Sequence, residues 1–464
     1  MSARNVVFIM TDQQHFRTLG CHGVAEAETP HLDALAAGGL DFHNHIVTNP
    51  VCMPSRASII SGRYINEHGV WQNGCCLGED IPTLPQVLGK AGVQTAHIGK
   101  LHLEPIISRT EAPSAYGFEH CEIAEGDQNL INDAHWGWLR KNHPEAFLKY
   151  LNECFQNGHS DAFRSDLPEE LHLSSWITSR AETWLREGRD DERPFYLSLG
   201  YFDPHHAFNP CEPWYSRFAD KEVAAPRVRE GEHDKRPPHY ARQAGGGHVD
   251  NPDRINATIR SVHAMCAQID HCVGRIVATL GELGLAKDTL IVFTSDHGEM
   301  LGNHRMLWKG PFLLDDLIRV PLVVAPADAS GPGQVCPELT SGVDFMATMC
   351  RVFGCDSPDG DGTAIVDADL AVCPDGEREV ALCEWEGGKF SEADQLRCVR
   401  TRTAKLVDYG DQPYGEYYDL AADPDEFNNA YSDPDGAQGV ATMRSLLDKC
   451  YPAGRAATVQ ECQW

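Results

Sequence analysis

The chain is short of positive charge. It carries 39 Lys and Arg against 68 Asp and Glu, a net charge of −29, which argues against nucleic acid or an anionic membrane surface as its partner. It also lacks long hydrophobic runs. No apolar window approaches the roughly 20 residues that a membrane span requires. The first apolar run, at residues 6–10, is too short for the core of a signal peptide, so no leader is read. Cysteines are numerous, 17 in all, yet no two form a Cys-x-x-Cys pair, so neither a zinc ribbon nor a disulfide framework is indicated. A cytoplasmic protein with reduced thiols is expected. Internal repeats and low-complexity tracts are absent as well.

What is present reads as an ordinary globular chain, 464 residues long with 42% apolar and 23% charged content. That length can bury a large core and support a second, smaller domain. Residues 5–10 form a continuous apolar run, the pattern of a strand buried on both faces. Helices are predicted over 30–37, 84–91 and 175–187, and most clearly over 254–283, where Ile255, Ile259, Val262, Met265, Ile269, Val273, Ile276 and Leu280 recur at steps of three and four. Strands are predicted at 93–98, 194–201, 290–294 and 320–325. The alternation implies an α/β fold, with a large mostly parallel sheet flanked by helices, and ligands collecting outside the carboxyl ends of its strands. Two polar regions, 104–175 and 203–252, break the pattern and read as insertions over that edge. A catalytic domain over 1–345 is expected. After it, segments at 379–385, 396–408 and 417–420 and a helix at 440–451 suggest a small antiparallel sheet with a helix, a C-terminal α+β domain over 346–464.

Chemistry-bearing residues recur at the predicted strand ends. Asp12 and Gln13 follow the first strand, and Asp296 and His297, in Asp296-His297-Gly298-Glu299, follow the strand at 290–294. Two carboxylates, an amide oxygen and an imidazole at one edge can enclose a divalent cation. A single Asp after a strand is more often a turn former. Arg56 stands one helical turn beyond Cys52, so its guanidinium can return to that side chain. Lys100 and His102 follow the strand at 93–98, His205 follows the strand at 194–201, and Lys309 precedes the strand at 320–325. Any one of these is usually a solvated surface charge. Jointly they converge on an anion pocket.

Cys52-Met53-Pro54-Ser55-Arg56, followed by Ala57-Ser58-Ile59-Ile60-Ser61-Gly62-Arg63, resembles the formylglycine signature of the type I sulfatases of the alkaline phosphatase superfamily. The resemblance extends from Asp12 to Tyr417-Tyr418-Asp419-Leu420. It implies that a maturation enzyme oxidises Cys52 to formylglycine (3-oxoalanine), whose hydrate is the nucleophile. It implies a metal set of Asp12, Gln13, Cys52, Asp296 and His297, with Gln13 where the family often has Asp and His297 where it often has Asn. Calcium and manganese both remain open. Lys100 and His102 resemble the Lys-x-His pair that contacts the formylglycine hydroxyls and the sulfate, His205 the histidine of a Pro-His-x-Pro-Phe segment, and Lys309 the lysine on the leaving-group oxygen. Asn73 resembles a substrate-side asparagine of the phosphonate monoester hydrolase branch, and a turn former equally well. By this resemblance Asp296 takes the proton of the attacking hydroxyl, His205 or Lys309 protonates the alcohol, and His102 assists release of sulfate. The expected activity is hydrolysis of a small anionic sulfate monoester by a sulfuric ester hydrolase, possible as a homo-oligomer. Gln13 and His297 lean toward phosphonate monoesters or phosphodiesters, and Lys100-x-His102 leans back toward sulfate. Two other readings keep Cys52 unmodified: a non-catalytic anion-binding protein, and a thiolate nucleophile activated by Arg56 and a helix N-terminus.

Overall fold

The computed structural model describes residues 5–104, 116–126, 133–157, 161–247, 249–373, 378–386 and 395–451. Parts of both expected insertions and the last 13 residues of the expected C-terminal domain lie outside the described residues. The main sheet holds β1 (Asn5–Thr11), β2 (Leu40–Ile46), β3 (Gln94–Gly99), β4 (His120–Ile123), β5 (Phe195–Gly200), β6 (Thr289–Ser295), β7 (Arg319–Val320), β8 (Leu322–Pro326) and β9 (Gln334–Ser341). Their order is β4-β3-β5-β1-β6-β8-β2-β7, with β9 also paired to β2.

The five strands from β4 to β6 are all parallel. β8 runs antiparallel to both β6 and β2. The physical reason is the connection. A return to parallel needs a crossover, usually through a helix. The chain from β6 instead stays at the carboxyl edge, with only the short helix Asp315–Ile318, before it turns back. β2, β4 and β9 were not foreseen. β2 reads Leu-Asp-Phe-His-Asn-His-Ile, too polar to register as a buried run.

β1 is buried along its whole length, and its side chains alternate between two cores. Val7 and Ile9 face the helices Pro30–Ala37, Leu173–Thr183 and Pro252–Glu282, through Leu32, Leu35, Ile177, Ile269 and Val273. Val6, Phe8 and Met10 face the helices Cys52–Ser61, Leu84–Lys90 and Asp344–Phe353, through Ala57, Ile59, Leu88, Met346 and Met349. The helix predicted at 84–91 begins with a capping box, in which Thr83 and Gln86 satisfy each other's backbone donors.

A second sheet holds β10 (Ala381–Glu386), β11 (Gln395–Arg400), β12 (Ala404–Asp408) and β13 (Gly415–Asp419), all antiparallel. The stretch predicted as one segment at 396–408 is a hairpin, split where Thr401 N–H donates to the Ala404 carbonyl at 2.9 Å. One face packs on the helix Ala437–Cys450 through Leu382, Val399, Leu406, Met443 and Leu447. The other shares a core with Ile46, Leu317 and Ile318 beside the main sheet.

Candidate active site

Register puts the site together. Thr11 pairs with Ser295, and Met10 and Gly99 both pair with Gly200, so β1, β3, β5 and β6 end at one level. The next residues are Asp12, Lys100, Tyr201 and Asp296. Asp296 N–H donates to the Thr11 carbonyl (3.1 Å) and Lys100 N–H to the Gly200 carbonyl (2.7 Å), so the ladder extends one step beyond the strands. Gly200 is needed there: a Cβ on it would sit 2.1 Å from the Lys100 carbonyl oxygen.

Cys52 opens the helix Cys52–Ser61, whose end is a left-handed Gly62 at φ 69°. No side chain at the residue before the helix caps it. Instead Asn73 Oδ1 accepts from the Met53 backbone N–H at 3.1 Å, so Asn73 is a remote cap one residue from Cys52. Arg56, 2% exposed, ties three segments together: Nε to Asp296 Oδ2 (2.7 Å), Nη2 to Asp12 Oδ2 (3.3 Å), and Nη1 to the Lys100 carbonyl (2.7 Å). Ser55 Oγ donates to the Asp296 carbonyl at 2.5 Å.

Around the Cys52 sulfur stand His297 Nε2 at 3.3 Å, Asp12 Oδ1 at 3.6 Å and Lys309 Nζ at 3.0 Å. Lys309 Nζ also lies 2.9 Å from His205 Nε2 and 3.2 Å from His297 Nε2. The Lys100 ammonium, fully buried, is 2.7 Å from Asp12 Oδ2 and 4.9 Å from the centre of the Phe202 ring. His102 is buried nearby; its backbone N–H donates to Glu125 Oε1 (2.8 Å), and its Nδ1 has no partner among the described residues. The structure therefore brings Asp12, Gln13, Cys52, Arg56, Lys100, His205, Asp296, His297 and Lys309 together. His102 and Asn73 flank them.

The electrostatics follow from the cations. Burial alone would raise the Asp12 carboxyl, but Lys100, His205, Lys309 and Arg56 hold it well below the usual range. Burial and Asp12 push the Cys52 thiol up, and Lys309, Lys100 and His297 outweigh them, so it is lowered. Burial and the neighbouring lysines drive His102 and His205 well below the ordinary histidine value, so both are neutral bases.

A divalent ion fits the donor chemistry. One ligand atom each of Asp12, Cys52, Asp296 and His297 lie within 4.8 Å of one another, all buried. His297 Nδ1–H donates to the Gly298 carbonyl at 2.9 Å, which turns Nε2 toward the carboxylates, as a hydrogen bond to the other ring nitrogen does for metal-ligating histidines. Burial and Lys309 lower His297, but Asp296 and Cys52 raise it above its ordinary value. Surroundings that favour a proton on Nε2 favour a cation there. Gln13, at φ 63°, has its amide fixed by Glu299, whose Oε2 accepts from Nε2, and by His206.

Three neighbours escaped the sequence reading as site residues. Glu299 stands in the Asp-His-Gly-Glu motif and, besides Gln13, holds the backbone N–H of Leu301 and Trp308, so it fixes the loop that carries Lys309. His206 stacks on His205 with ring centres 4.2 Å apart, and the His205-His206 doublet was its signal. Glu125 lies in an insertion and had none.

Comparisons with known proteins agree with this geometry. The family model described as Sulfatase matches residues 4–355, and the model for the C-terminal part of N-sulphoglucosamine sulphohydrolase matches 302–451. The multifunctional alkaline phosphatase superfamily protein PehA of Trinickia caryophylli is 29% identical, over 94% of this chain and 92% of its own. The arylsulfatase of Clostridium perfringens is 25% identical over 96% and 94%. Among solved structures, the phosphonate monoester hydrolase of Agrobacterium radiobacter superimposes with a TM-score of 0.80 at 26% identity, covering 96% of this chain and 95% of that one. With a family model spanning the main sheet from β1 past β9, and the cations, carboxylates and cysteine gathered at its carboxyl edge, the chain belongs to the sulfatase family.

Proposed function

We propose that this sulfatase hydrolyses sulfate monoesters to alcohol and sulfate, with Cys52 matured to formylglycine. Asp12, Gln13, Asp296 and His297 would hold one divalent ion. The observation that carries the reading is the charge gathered around the Cys52 sulfur: Arg56, Lys100 and Lys309 stand against Asp12 and Asp296, while burial pushes the two further acids, Glu125 and Glu299, up toward their neutral forms. In a chain of net charge −29, such a buried surplus costs stability and is explained by an anion that it binds.

Formylglycine would supply a geminal hydroxyl nucleophile that can release sulfate by reverting to the aldehyde, and the ion would neutralise charge on the sulfuryl oxygens. The chain's own groups do the rest. Arg56 locks Asp12 and Asp296 at fixed separation. Lys100 and Lys309 stabilise charge on the sulfate oxygens in a site that excludes water. Lys309, with neutral His205 2.9 Å away, is placed to give a proton to the departing alcohol. His102, neutral and with a bare Nδ1, is placed to take one. The imidazole of His297 beside oxygen donors suits manganese better than calcium.

Phosphonate monoester or phosphodiester hydrolysis is the second reading. It is favoured by the Gln13 and His297 donors and by the likeness to the phosphonate monoester hydrolase of Agrobacterium radiobacter. Paired kinetics on an aryl sulfate and a phenyl phosphonate separate the two; phosphonate preferred by orders of magnitude reverses the order. Intact mass reads the maturation directly, as a loss of roughly 18 Da. A fully unconverted Cys52 in protein that still turns over sulfate esters refutes the formylglycine part. For transport, the structure adds that no helix among the described residues is long and apolar enough to cross a membrane.

A further inference from the structure

A second group of metal-ligating side chains lies outside the site, between β2 and the connection that leads to it from β1. Cys21 and His22 belong to the turn at Gly20–His22, and Asp41 and His43 lie on β2. One ligand atom each of Cys21, His22 and Asp41 lie within 4.8 Å of one another. The His22 side chain is fully buried, and Asp41 is 3% exposed.

The hydrogen bonds of His22 do not close with a neutral ring. Its Nδ1 is 2.9 Å from the Phe16 carbonyl oxygen, which can only accept, so Nδ1 carries the proton. Nε2 is then a bare lone pair, yet it lies 3.1 Å from Asp41 Oδ1, another acceptor. Something positive belongs between them, either a second proton or a metal ion. Asp41 has no lysine or arginine partner among the described residues; its other contact is His43 Nε2, 3.1 Å from Oδ2. A buried carboxylate is thus left to histidines alone. The Cys21 sulfur is the third donor in the same space. A proton on His22 leaves that thiol to Asp33 alone, whereas a cation engages all three donors. Phe16 stacks on His22 with ring centres 4.0 Å apart and fixes the ring plane.

We propose that Cys21, His22 and Asp41 form a second metal site, for a zinc-class ion, with the fourth position taken by His43 or by water. The sulfur, nitrogen and oxygen donors select a borderline-soft ion over calcium or magnesium. A carbonyl that holds Nδ1–H fixes the ring of a ligating histidine and leaves Nε2 free for the ion, as at His297. The His43 ring stands edge-on to His22, with centres 5.2 Å apart, and can swing to complete a tetrahedron. The site reaches solvent at His43, whose side chain is 35% exposed. Binding replaces the Cys21 S–H bond by a sulfur–metal bond and releases the proton to solvent. Burial, Asp41 and Asp33 hold the free thiol's pKa up, so without metal Cys21 remains a thiol.

Cobalt(II), titrated into the metal-stripped full-length Cys52→Ala protein, tests this. In that background no thiolate can reach an ion at the Asp12 and Asp296 carboxylates, so a near-ultraviolet thiolate-to-cobalt band reports the second site alone, whatever the active site does. The band is expected, is bleached by zinc, and is lost in Cys21→Ser. His22→Gln is expected to weaken cobalt binding at least tenfold. If Cys21→Ser does not fold, the Cys52→Ala protein still serves: zinc should slow iodoacetamide labelling of Cys21, read by peptide mass, more than tenfold. No band from folded Cys52→Ala, a band that survives Cys21→Ser, or labelling unchanged by zinc overturns the proposal and leaves an imidazolium–carboxylate pair.

Discussion

Three buried carboxylates of this protein sit among different numbers of cations. Asp12 has a surplus, with Lys100 at 2.7 Å, Arg56 at 3.3 Å and Lys309 at 3.9 Å. Asp344 is matched by one, Arg378, and is further satisfied by the backbone N–H groups of Ser341 (2.7 Å) and Thr363 (2.9 Å). Asp270, on the long helix, has none among the described residues: there it accepts from the backbone N–H of Leu32 (2.8 Å) and His31 (3.2 Å), at the start of the helix Pro30–Ala37. Burial raises Asp270 to about 7, while Asp12 is held far down. Burial is common to Asp12 and Asp270, so the cations around Asp12 set the two apart. A surplus does not by itself mark a ligand site: Asp315 lies 2.9, 3.1 and 3.9 Å from Arg400, Lys405 and Arg319, and there it joins the second sheet to the main one.

Four changes sharpen that contrast, beginning with the greatest. Arg378→Ala leaves Asp344 buried without its partner and should cost about 3–5 kcal/mol of stability. Denaturant titration reads the loss, and kcat below the new transition should stay as it was. Lys309→Ala should invert this pattern, with kcat on an aryl sulfate down by about 10²–10³-fold and the thermal midpoint unchanged or raised, because a crowded cation has gone. A midpoint lowered as much as in Arg378→Ala would erase the distinction. Metal stripping should abolish turnover and lower stability by about 2–3 kcal/mol relative to protein saturated at a hundredfold over Kd; calorimetry before and after manganese is returned measures it.

The smallest effect concerns pH. Asp270 keeps its proton in the native state up to about 7, whereas the unfolded chain loses it near 3.8. Across that window the native state binds more protons, so stability falls as pH rises. Asp270→Asn keeps an acceptor for Leu32 N–H and removes the titration. Its thermal midpoint relative to the parent should therefore improve steadily from pH 4 to 7. A difference that is flat with pH would remove Asp270 from the comparison.

Much of this was legible in the sequence, for physical reasons. Strands buried on both faces, such as β1 and β6, are apolar throughout, and the residues just after them fall at the carboxyl edge. That alone ranked Asp12, Lys100 and Asp296 above the other charged residues. Strand β2 was not legible, because its Asp41, His43 and Asn44 are satisfied by side-chain and backbone partners that sequence periodicity does not show. The antiparallel turn at β8 depends on what a connection lacks, a crossover helix. Glu299 was invisible as a site residue because it acts through Gln13, and orientation by a neighbour leaves no spacing rule; His206 had only its doublet with His205 to mark it.

The pairing of Thr11 with Ser295 has a consequence beyond the site itself. Asp12 and Asp296 hang from adjoining rungs, so the gap between them is gauged by the ladder and not by their own rotamers. A slip of one rung would deliver Gln13 to the station of Asp12 and turn every β1 side chain to the opposite layer. Amide exchange in β1 and the dwell time of a bound ion should therefore rise and fall together, even for lesions buried far below the rim.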